Sequence, residues 1–133
     1  MPSHQTSQII LPHLNWSLAR LKEAIEKEST EYYRGVALHR FRLTYEVTLK
    51  VIRAFALEEG ALLSTDNEYF QWADEKEWPK NKSDWAKVTK NYKKIKNLPK
   101  EMSTNDIYNE LQSYYELLYG MVESLNRSLS KRI

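Results

Sequence analysis

The chain of 133 residues contains no cysteine, which excludes a disulfide framework, a thiolate metal site and a cysteine nucleophile. The absence of cysteine is also typical of proteins that work in a reducing compartment. No apolar run approaches the roughly 20 residues that a membrane-spanning helix requires, and residues 1–8 lack the layout of a secretory signal. We therefore expect a cytoplasmic protein without a membrane partner.

Glycine and proline are scarce, with three and four residues respectively. A sheet protein of this length needs many tight turns, and turns depend on such residues. Charged residues make up 29% of the chain, which together with the few helix breakers indicates long helices. The sequence thus predicts an all-α fold in a single domain over residues 1–133, with residues 1–9 as a flexible N-terminal tail.

Apolar residues recur at helical spacing along most of the chain. The predicted helices cover residues 11–27, 31–59 and 104–130, with two shorter pieces between the last two, one over residues 66–77 and one that Ser83 caps and residues 97–99 end. Gly60 is a good C-terminal glycine for the second helix, and Thr65 with Glu68 matches a capping box at the start of the third. Pro79 and the polar residues after it interrupt this third helix. The pattern predicts a four-helix up-and-down bundle with a broken third helix.

The last predicted helix carries two adjacent apolar rows. The first row has a heptad-like spacing and consists of Tyr108, Leu111, Tyr115, Leu118, Val122, Leu125 and Leu129. The second row consists of Ile107, Tyr114 and Met121. A helix with two rows can face its own bundle and a second subunit together. Four tyrosines therefore either line a homodimer interface or pack within the chain, namely Tyr108, Tyr114, Tyr115 and Tyr119.

A block of lysines is the main charge feature of the sequence. Between Lys80 and Lys100 eight lysines stand against one acid, Asp84, which gives this segment +7 and leaves −5 for the remainder. Such a segment is either a solvated face or a surface that binds phosphates. The candidates for binding a nucleotide, RNA or an anionic partner are Lys87, Lys90, Lys93 and Lys94. Trp85 and Tyr92 suit either stacking on bases or the core, and their spacing favours the core.

Residues typical of catalysis or metal binding are not apparent. His4, His13 and His39 are not spaced as helix-borne metal ligands, and we interpret them as surface residues. The three glycines are isolated, so a glycine-rich phosphate loop is excluded. We expect no metal and no cofactor, and we interpret the many carboxylates as parts of solvated helix faces.

The second predicted helix contains the run Gly35–Lys50, in which an arginine–phenylalanine pair precedes a glutamate and, four residues later, a lysine. These signature residues are Arg40, Phe41, Glu46 and Lys50, with Tyr45 beside the glutamate. In this run the chain resembles the nucleotidyltransferase substrate-binding family, whose members are small four-helix bundles within the wider HEPN group. Residues 18–24 of the first helix, and Asp106–Tyr108 and Tyr114–Tyr115 of the last, are similar too.

The resemblance implies a homodimer that is the partner of a small nucleotidyltransferase, in many cases within a toxin–antitoxin pair. Active members of the family cleave RNA with an arginine that is followed a few residues later by a histidine. In this chain Tyr92 and Asn97 occupy these positions, and asparagine cannot take up and return a proton as histidine does. The resemblance therefore implies a non-catalytic, substrate-binding subunit.

Two alternatives to this function stay open. The first is a HEPN-type ribonuclease whose active site is degenerate or has moved, and RNA cleavage with growth arrest on expression would favour it. The second is a helical scaffold protein without a link to nucleotides, which binds through its tyrosine-rich last helix. Dimerisation without binding of any nucleotide or nucleic acid would favour the scaffold.

Overall fold

The computed structural model describes residues 4–78, 85–97 and 105–132, and all regular structure in these ranges is α-helical. The side chains of residues 4, 5, 85–87, 97, 105, 106 and 132 lie outside the description. The helices are α1 (His4–Ile25), α2 (Glu31–Glu58), α3 (Asp66–Glu75), α4 (Trp85–Asn97) and α5 (Asn105–Arg132). The predicted all-α fold is thus confirmed. None of the described helices combines the length and the apolar character needed to cross a bilayer.

Helix α1 begins at His4, although the sequence predicted a start near residue 11 and a tail over residues 1–9. The structure instead places residues 4–9 in the helix. Ser7 is fully buried in the first turns, where its backbone N–H and its Oγ donate hydrogen bonds of 2.9 and 2.7 Å to the Glu58 carboxylate. The first N–H groups of a helix have no partner within the helix. Glu58, at the end of α2, supplies a hydrogen-bond acceptor for one of these N–H groups and so extends α1.

Both ends of helix α2 are formed by local residues, and Gly60 ends the helix as predicted. At its start, Thr30 Oγ1 accepts a hydrogen bond from the backbone N–H of Tyr33. At its end, Gly60 adopts a φ of +79°, which a residue with a side chain rarely adopts. Its N–H and that of Ala61 then reach the carbonyls of the last helical turn, at 3.0 and 2.8 Å. This is a Schellman motif, and it reverses the chain towards α3.

Helix α3 starts with the predicted capping box and ends with a second Schellman motif. Thr65 Oγ1 accepts from the backbone N–H of Glu68, and the Glu68 carboxylate accepts from the N–H of Thr65. At the other end Glu77 occupies the left-handed position, with a φ of +60°. The N–H groups of Glu77 and Trp78 bond to Asp74 and Ala73. The turn directs Trp78 back into the core, edge-on to Phe55.

Helix α2 lies at the centre of the fold, because it contacts each of the other four helices. Its buried residues extend over most of its length, from Ala37 to Ala56. Helix α1 runs antiparallel to it, since Ser7 meets Glu58 while Ser17 meets Thr44 ten residues further along α1. The Ser17 and Thr44 hydroxyls are buried and 2.8 Å apart, so they satisfy each other between the two helices.

Helix α5 packs both of its apolar rows against the core of this chain. The second row, which we considered for contact with a second subunit, is almost fully buried at Ile107, Tyr114 and Met121. Tyr114 stacks on Phe41 of α2, with ring centroids 5.5 Å apart. Of the four tyrosines that we proposed for an interface, Tyr119 is the most exposed, at 45%. Tyr114 therefore packs within the chain, which is one of the two alternatives considered for the tyrosines of this helix.

Candidate functional site

A solvent-open cleft of about 280 Å³ lies where helices α2, α3 and α4 meet. Most of its lining is polar or charged, in contrast to the apolar contacts that hold the helices together. Helix α2 contributes five residues, α3 one and α4 two: Tyr45, Glu46, Leu49, Lys50, Arg53, Asp66, Tyr92 and Lys96. We refer to the space bounded by these residues as the cleft.

The floor of the cleft is formed by two tyrosines. The rings of Tyr45 and Tyr92 stack with centroids 4.0 Å apart and planes 17° from parallel. Both residues are buried, and the hydroxyl groups of Tyr45 and Thr89 are within 2.9 Å of each other. Burial raises the pKa of Tyr45 above its ordinary value. Tyr92 therefore belongs to the core and offers no free face to a base.

Glu46 is held at the rim by two donors. The Tyr92 hydroxyl donates a hydrogen bond of 2.5 Å to its carboxylate, and Arg42 Nε lies 3.4 Å from the same oxygen. Burial alone would raise the pKa of Glu46, but the hydrogen bonds from Tyr92 and Arg42 and the charges of Arg42 and Lys96 lower it below 4.5. Burial and the Glu46 carboxylate raise the pKa of Tyr92. At neutral pH Glu46 is thus an anion and Tyr92 keeps its proton.

Arg53 and Asp66 form the opposite side of the cleft and neutralise each other. Arg53 Nη2 lies 2.8 Å from Asp66 Oδ1, and the guanidinium also lies over the Tyr69 ring, 5.3 Å from its centroid. Both acids in the lining are consequently engaged by this chain. Within the described part of the chain, the ammonium groups of Lys50 and Lys96 have no ion pair. They give the cleft an excess of positive charge.

Three of the four predicted lysines are exposed on α4, beside the cleft but outside it. Lys90, Lys93 and Lys94 face solvent, and none of them has an ion pair among the residues that the structure describes. We call them the α4 lysine face. The fourth, Lys87, belongs to α4, but its side chain lies outside the described residues, as does that of Asn97.

Lys96, which lines the cleft, was not among the predicted residues. It follows Tyr92 by four positions, so the two lie on one side of a helix. This spacing, combined with the prediction that Tyr92 faces the core, is the signal that could have identified it. No comparable signal pointed to the contact between Glu46 and Tyr92, because these residues are 46 positions apart.

The four signature residues of α2 do not form one site. Glu46 and Lys50 lie in the cleft, whereas Phe41 is fully buried between Tyr45 and Tyr114. Arg40 lies on another side of α2, where its guanidinium is 5.8 Å from the centroid of the Trp16 ring. The structure thus divides the signature into two cleft residues, one core residue and one residue at the contact with α1.

The described residues include no group of three or more histidine, cysteine, aspartate or glutamate side chains that could hold a metal ion. His13 and His39 are exposed and do not line the cleft. The excess of positive charge suits binding of a small anion through lysines. A second groove, between α1 and α5, is more apolar and is lined by Leu18, Tyr115, Tyr119 and Val122 among others.

Comparisons of this chain with protein-family models, with curated proteins and with solved structures give no match.

Proposed function

We propose that this protein is a non-catalytic binding subunit that acts with a small nucleotidyltransferase and holds an anionic substrate, a nucleotide or RNA. The observation that carries the proposal is the charge on α4. Lys90, Lys93 and Lys94 are exposed without ion pairs among the described residues, and Lys96 adds its charge to the adjoining cleft. Clustered lysines that are free of internal partners are available to phosphates.

Glu46 supports a role in binding rather than catalysis. A general acid or base works best when its pKa lies near the operating pH. The pKa of Glu46 is instead lowered below 4.5, away from neutral pH. Burial raises this pKa, but the hydrogen bonds to the carboxylate and the neighbouring cations lower it by more. At the position where the resembling family has its arginine, Tyr92 is buried and donates a hydrogen bond to Glu46. The acids of the cleft are thus held in fixed positions by hydrogen bonds and ion pairs, which supports a structural role for them.

The proposal includes a four-helix up-and-down bundle that forms a homodimer. The antiparallel pairing of α1 and α2 agrees with this topology, and α3 and α4 would be the two pieces of the broken third helix. Partnership with a nucleotidyltransferase and membership of a toxin–antitoxin pair rest on the family resemblance, which is carried by residues 35–50 and by residues 18–24, 106–108 and 114–115.

Charge reversal of the α4 lysine face tests the binding function. In the variant Lys90→Glu/Lys93→Glu/Lys94→Glu we expect affinity for a fluorescent single-stranded RNA to fall roughly tenfold or more at low salt. The slope of log affinity against log salt should fall by about 2, because about 0.7 counterions are released per phosphate contact. Fluorescence anisotropy at several salt concentrations measures both quantities.

A matched control has the same change of net charge elsewhere. Lys22, Lys27 and Lys131 are also exposed but do not belong to α4, so Lys22→Glu/Lys27→Glu/Lys131→Glu should retain most of the affinity. An equal loss in both triple variants would mean that only net charge matters. Wild-type affinity in the α4 variant would contradict the proposal.

Recovery of the tagged protein from its own cells tests the partner. We expect a small nucleotidyltransferase in the complex, before and after nuclease treatment, because the contact is between proteins. RNA alone, lost on nuclease treatment, would contradict the partnership while leaving RNA binding in place.

A further inference from the structure

The geometry points to the cleft as a binding site for a phosphate monoester, which is the terminal phosphate of a nucleotide or of a nucleic-acid strand. This inference rests on the proposed function and specifies its substrate: the α4 lysine face would contact internal phosphates of any strand, whereas the cleft distinguishes a strand by its end. The residues that would hold the phosphate are Lys50 of α2 and Lys96 of α4.

The charges in the cleft match a dianion. Asp66 is engaged by Arg53, and Glu46 by Tyr92 and Arg42. These two acids and the two arginines sum to zero charge, so Lys50 and Lys96 give the region of the cleft a surplus of two positive charges. A phosphate monoester carries a charge of about −1.5 to −2 at neutral pH, whereas an internal diester carries about −1. Two ammonium groups in one recess consequently favour the monoester.

The cations of the cleft come from two different helices. Lys50 follows Glu46 by one helical turn on α2, and Lys96 lines the same cleft from α4. The charge of Lys96 contributes to the lowered pKa of Glu46, together with the hydrogen bonds that this carboxylate accepts. The two lysines thus approach the cleft from different helices. A ligand between them would also contact the hydrophilic edge made by Arg53 and Asp66.

The floor of the cleft limits what else is recognised. Tyr45 and Tyr92 stack on each other and are 1% and 7% exposed, so neither ring can receive a base. A volume of about 280 Å³ accommodates a phosphate with its sugar. Because specific recognition of bases needs stacking or hydrogen bonds to base edges, we expect a preference for the phosphate and none for a particular base.

The cleft continues into the α4 lysine face. Lys93 and Lys90 precede Lys96 by three and six residues, and residues three apart are neighbours on a helix surface. All three are exposed. A strand whose terminal phosphate occupies the cleft can therefore pass its next phosphates along this row of lysines.

The test compares one 3′-labelled single-stranded RNA with either a 5′-phosphate or a 5′-hydroxyl, and a 5′-labelled RNA with either a 3′-phosphate or a 3′-hydroxyl. We expect the intact chain to bind one phosphorylated form about three- to tenfold more tightly than its hydroxyl counterpart, a size that suits partly exposed ion pairs. In Lys50→Gln and in Lys96→Gln this preference should disappear, because the loss of affinity should fall mainly on the phosphorylated form.

Controls and contrary results separate the site from the proposed function. Lys27 is exposed and does not line the cleft, so the variant Lys27→Gln should keep the preference. Equal affinity for phosphate and hydroxyl forms, with binding retained, would overturn the monoester site but not the RNA-binding function. A preference that survives in both cleft variants would overturn its location, and failure of every RNA to bind would overturn both proposals.

Competition identifies the source of the phosphate. If adenosine 5′-monophosphate displaces the phosphorylated RNA and adenosine does not, the monoester site is supported and a free nucleotide suffices. If neither competes while the end preference persists, the site is supported as a reader of strand ends. Displacement by adenosine as effective as by its monophosphate would overturn the role of the phosphate.

Discussion

Glu46 illustrates how a single carboxylate connects two helices at the cleft. Tyr92 donates a hydrogen bond from α4, and Arg42 lies one helical turn before Glu46 on α2. Hydrogen bonds to a charged group are stronger than those between neutral groups. The carboxylate therefore fixes the position of α4 relative to α2, and with it the position of Lys96 relative to Lys50.

The first residue-scale prediction concerns Tyr92→Phe, which removes the hydroxyl but keeps the stacked ring. We expect the free energy of unfolding to fall by about 1–2 kcal/mol at pH 7, because a hydrogen bond to a charged acceptor is lost. The pKa of Glu46 is lowered in the folded protein, so its contribution to stability is present above about pH 4.5 and is lost as the pH falls through the lower folded-state pKa.

Urea denaturation between pH 3 and pH 7 measures this effect. The difference in stability between the wild type and Tyr92→Phe should be largest at pH 7 and should shrink below pH 4.5. The variant Glu46→Gln provides the control, since its stability should depend less on pH in the same range. A difference between wild type and Tyr92→Phe that stays constant from pH 3 to pH 7 would contradict the assigned role of Glu46.

At the scale of elements, the two Schellman motifs invite a direct comparison. The left-handed position is occupied by a glycine after α2, at Gly60, but by a glutamate after α3, at Glu77. A residue with a Cβ atom pays about 1–2 kcal/mol in this conformation, which is partly offset because glycine loses more backbone entropy on folding.

We therefore expect Glu77→Gly to raise the free energy of unfolding by about 0.5–1 kcal/mol, and Gly60→Ala to lower it by about 1 kcal/mol. No atom of the described residues lies within 4 Å of an alanine Cβ at Gly60, so strain in the backbone is the cause of the loss. Thermal and urea denaturation of both variants give the values. Stabilisation by Gly60→Ala, or a loss in Glu77→Gly, would show that the two ends are not governed by backbone conformation.

The elements that could be predicted from sequence are those with local signals. Thr65 and Glu68 form the predicted capping box, and Gly60 follows the end of α2, because all the atoms involved lie within a few residues. The start of α1 could not be predicted in this way. Its first turns are completed by Glu58, which is 51 residues from Ser7.

The candidate site was predictable only in part, for the same reason. A cluster of like charges is visible in the sequence, and lysine seldom enters a core. These two facts identified Lys90, Lys93 and Lys94. The cleft needs α2, α3 and α4 to meet, and the pairing of Glu46 with Tyr92 or of Arg53 with Asp66 leaves no trace in local spacing. Lys96 lines the cleft only because these contacts bring α4 against α2 and α3.

At the scale of the whole molecule, the exposed lysine cluster and the exposed residues Trp16 and Tyr119 belong to different helices. The lysines are concentrated on α4, whereas Trp16 of α1 is 58% exposed and has the guanidinium groups of Arg20 and Arg40 near its ring, at 5.6 and 5.8 Å from the centroid. Tyr119 is exposed beside the groove between α1 and α5. A homodimer formed through such aromatic residues would leave α4 free for an anionic ligand.

The most direct measurement of the central claim is an NMR titration of the ¹⁵N-labelled protein with a 5′-phosphorylated single-stranded RNA. If α4 and the cleft form one anion-binding surface, the largest shifts of backbone amide signals will occur in residues 88–96 of α4 and 45–53 of α2. The signals of residues 15–22 and 115–126, around the groove between α1 and α5, should move little. Shifts confined to that groove, or no shifts at low salt and high RNA concentration, would contradict the claim.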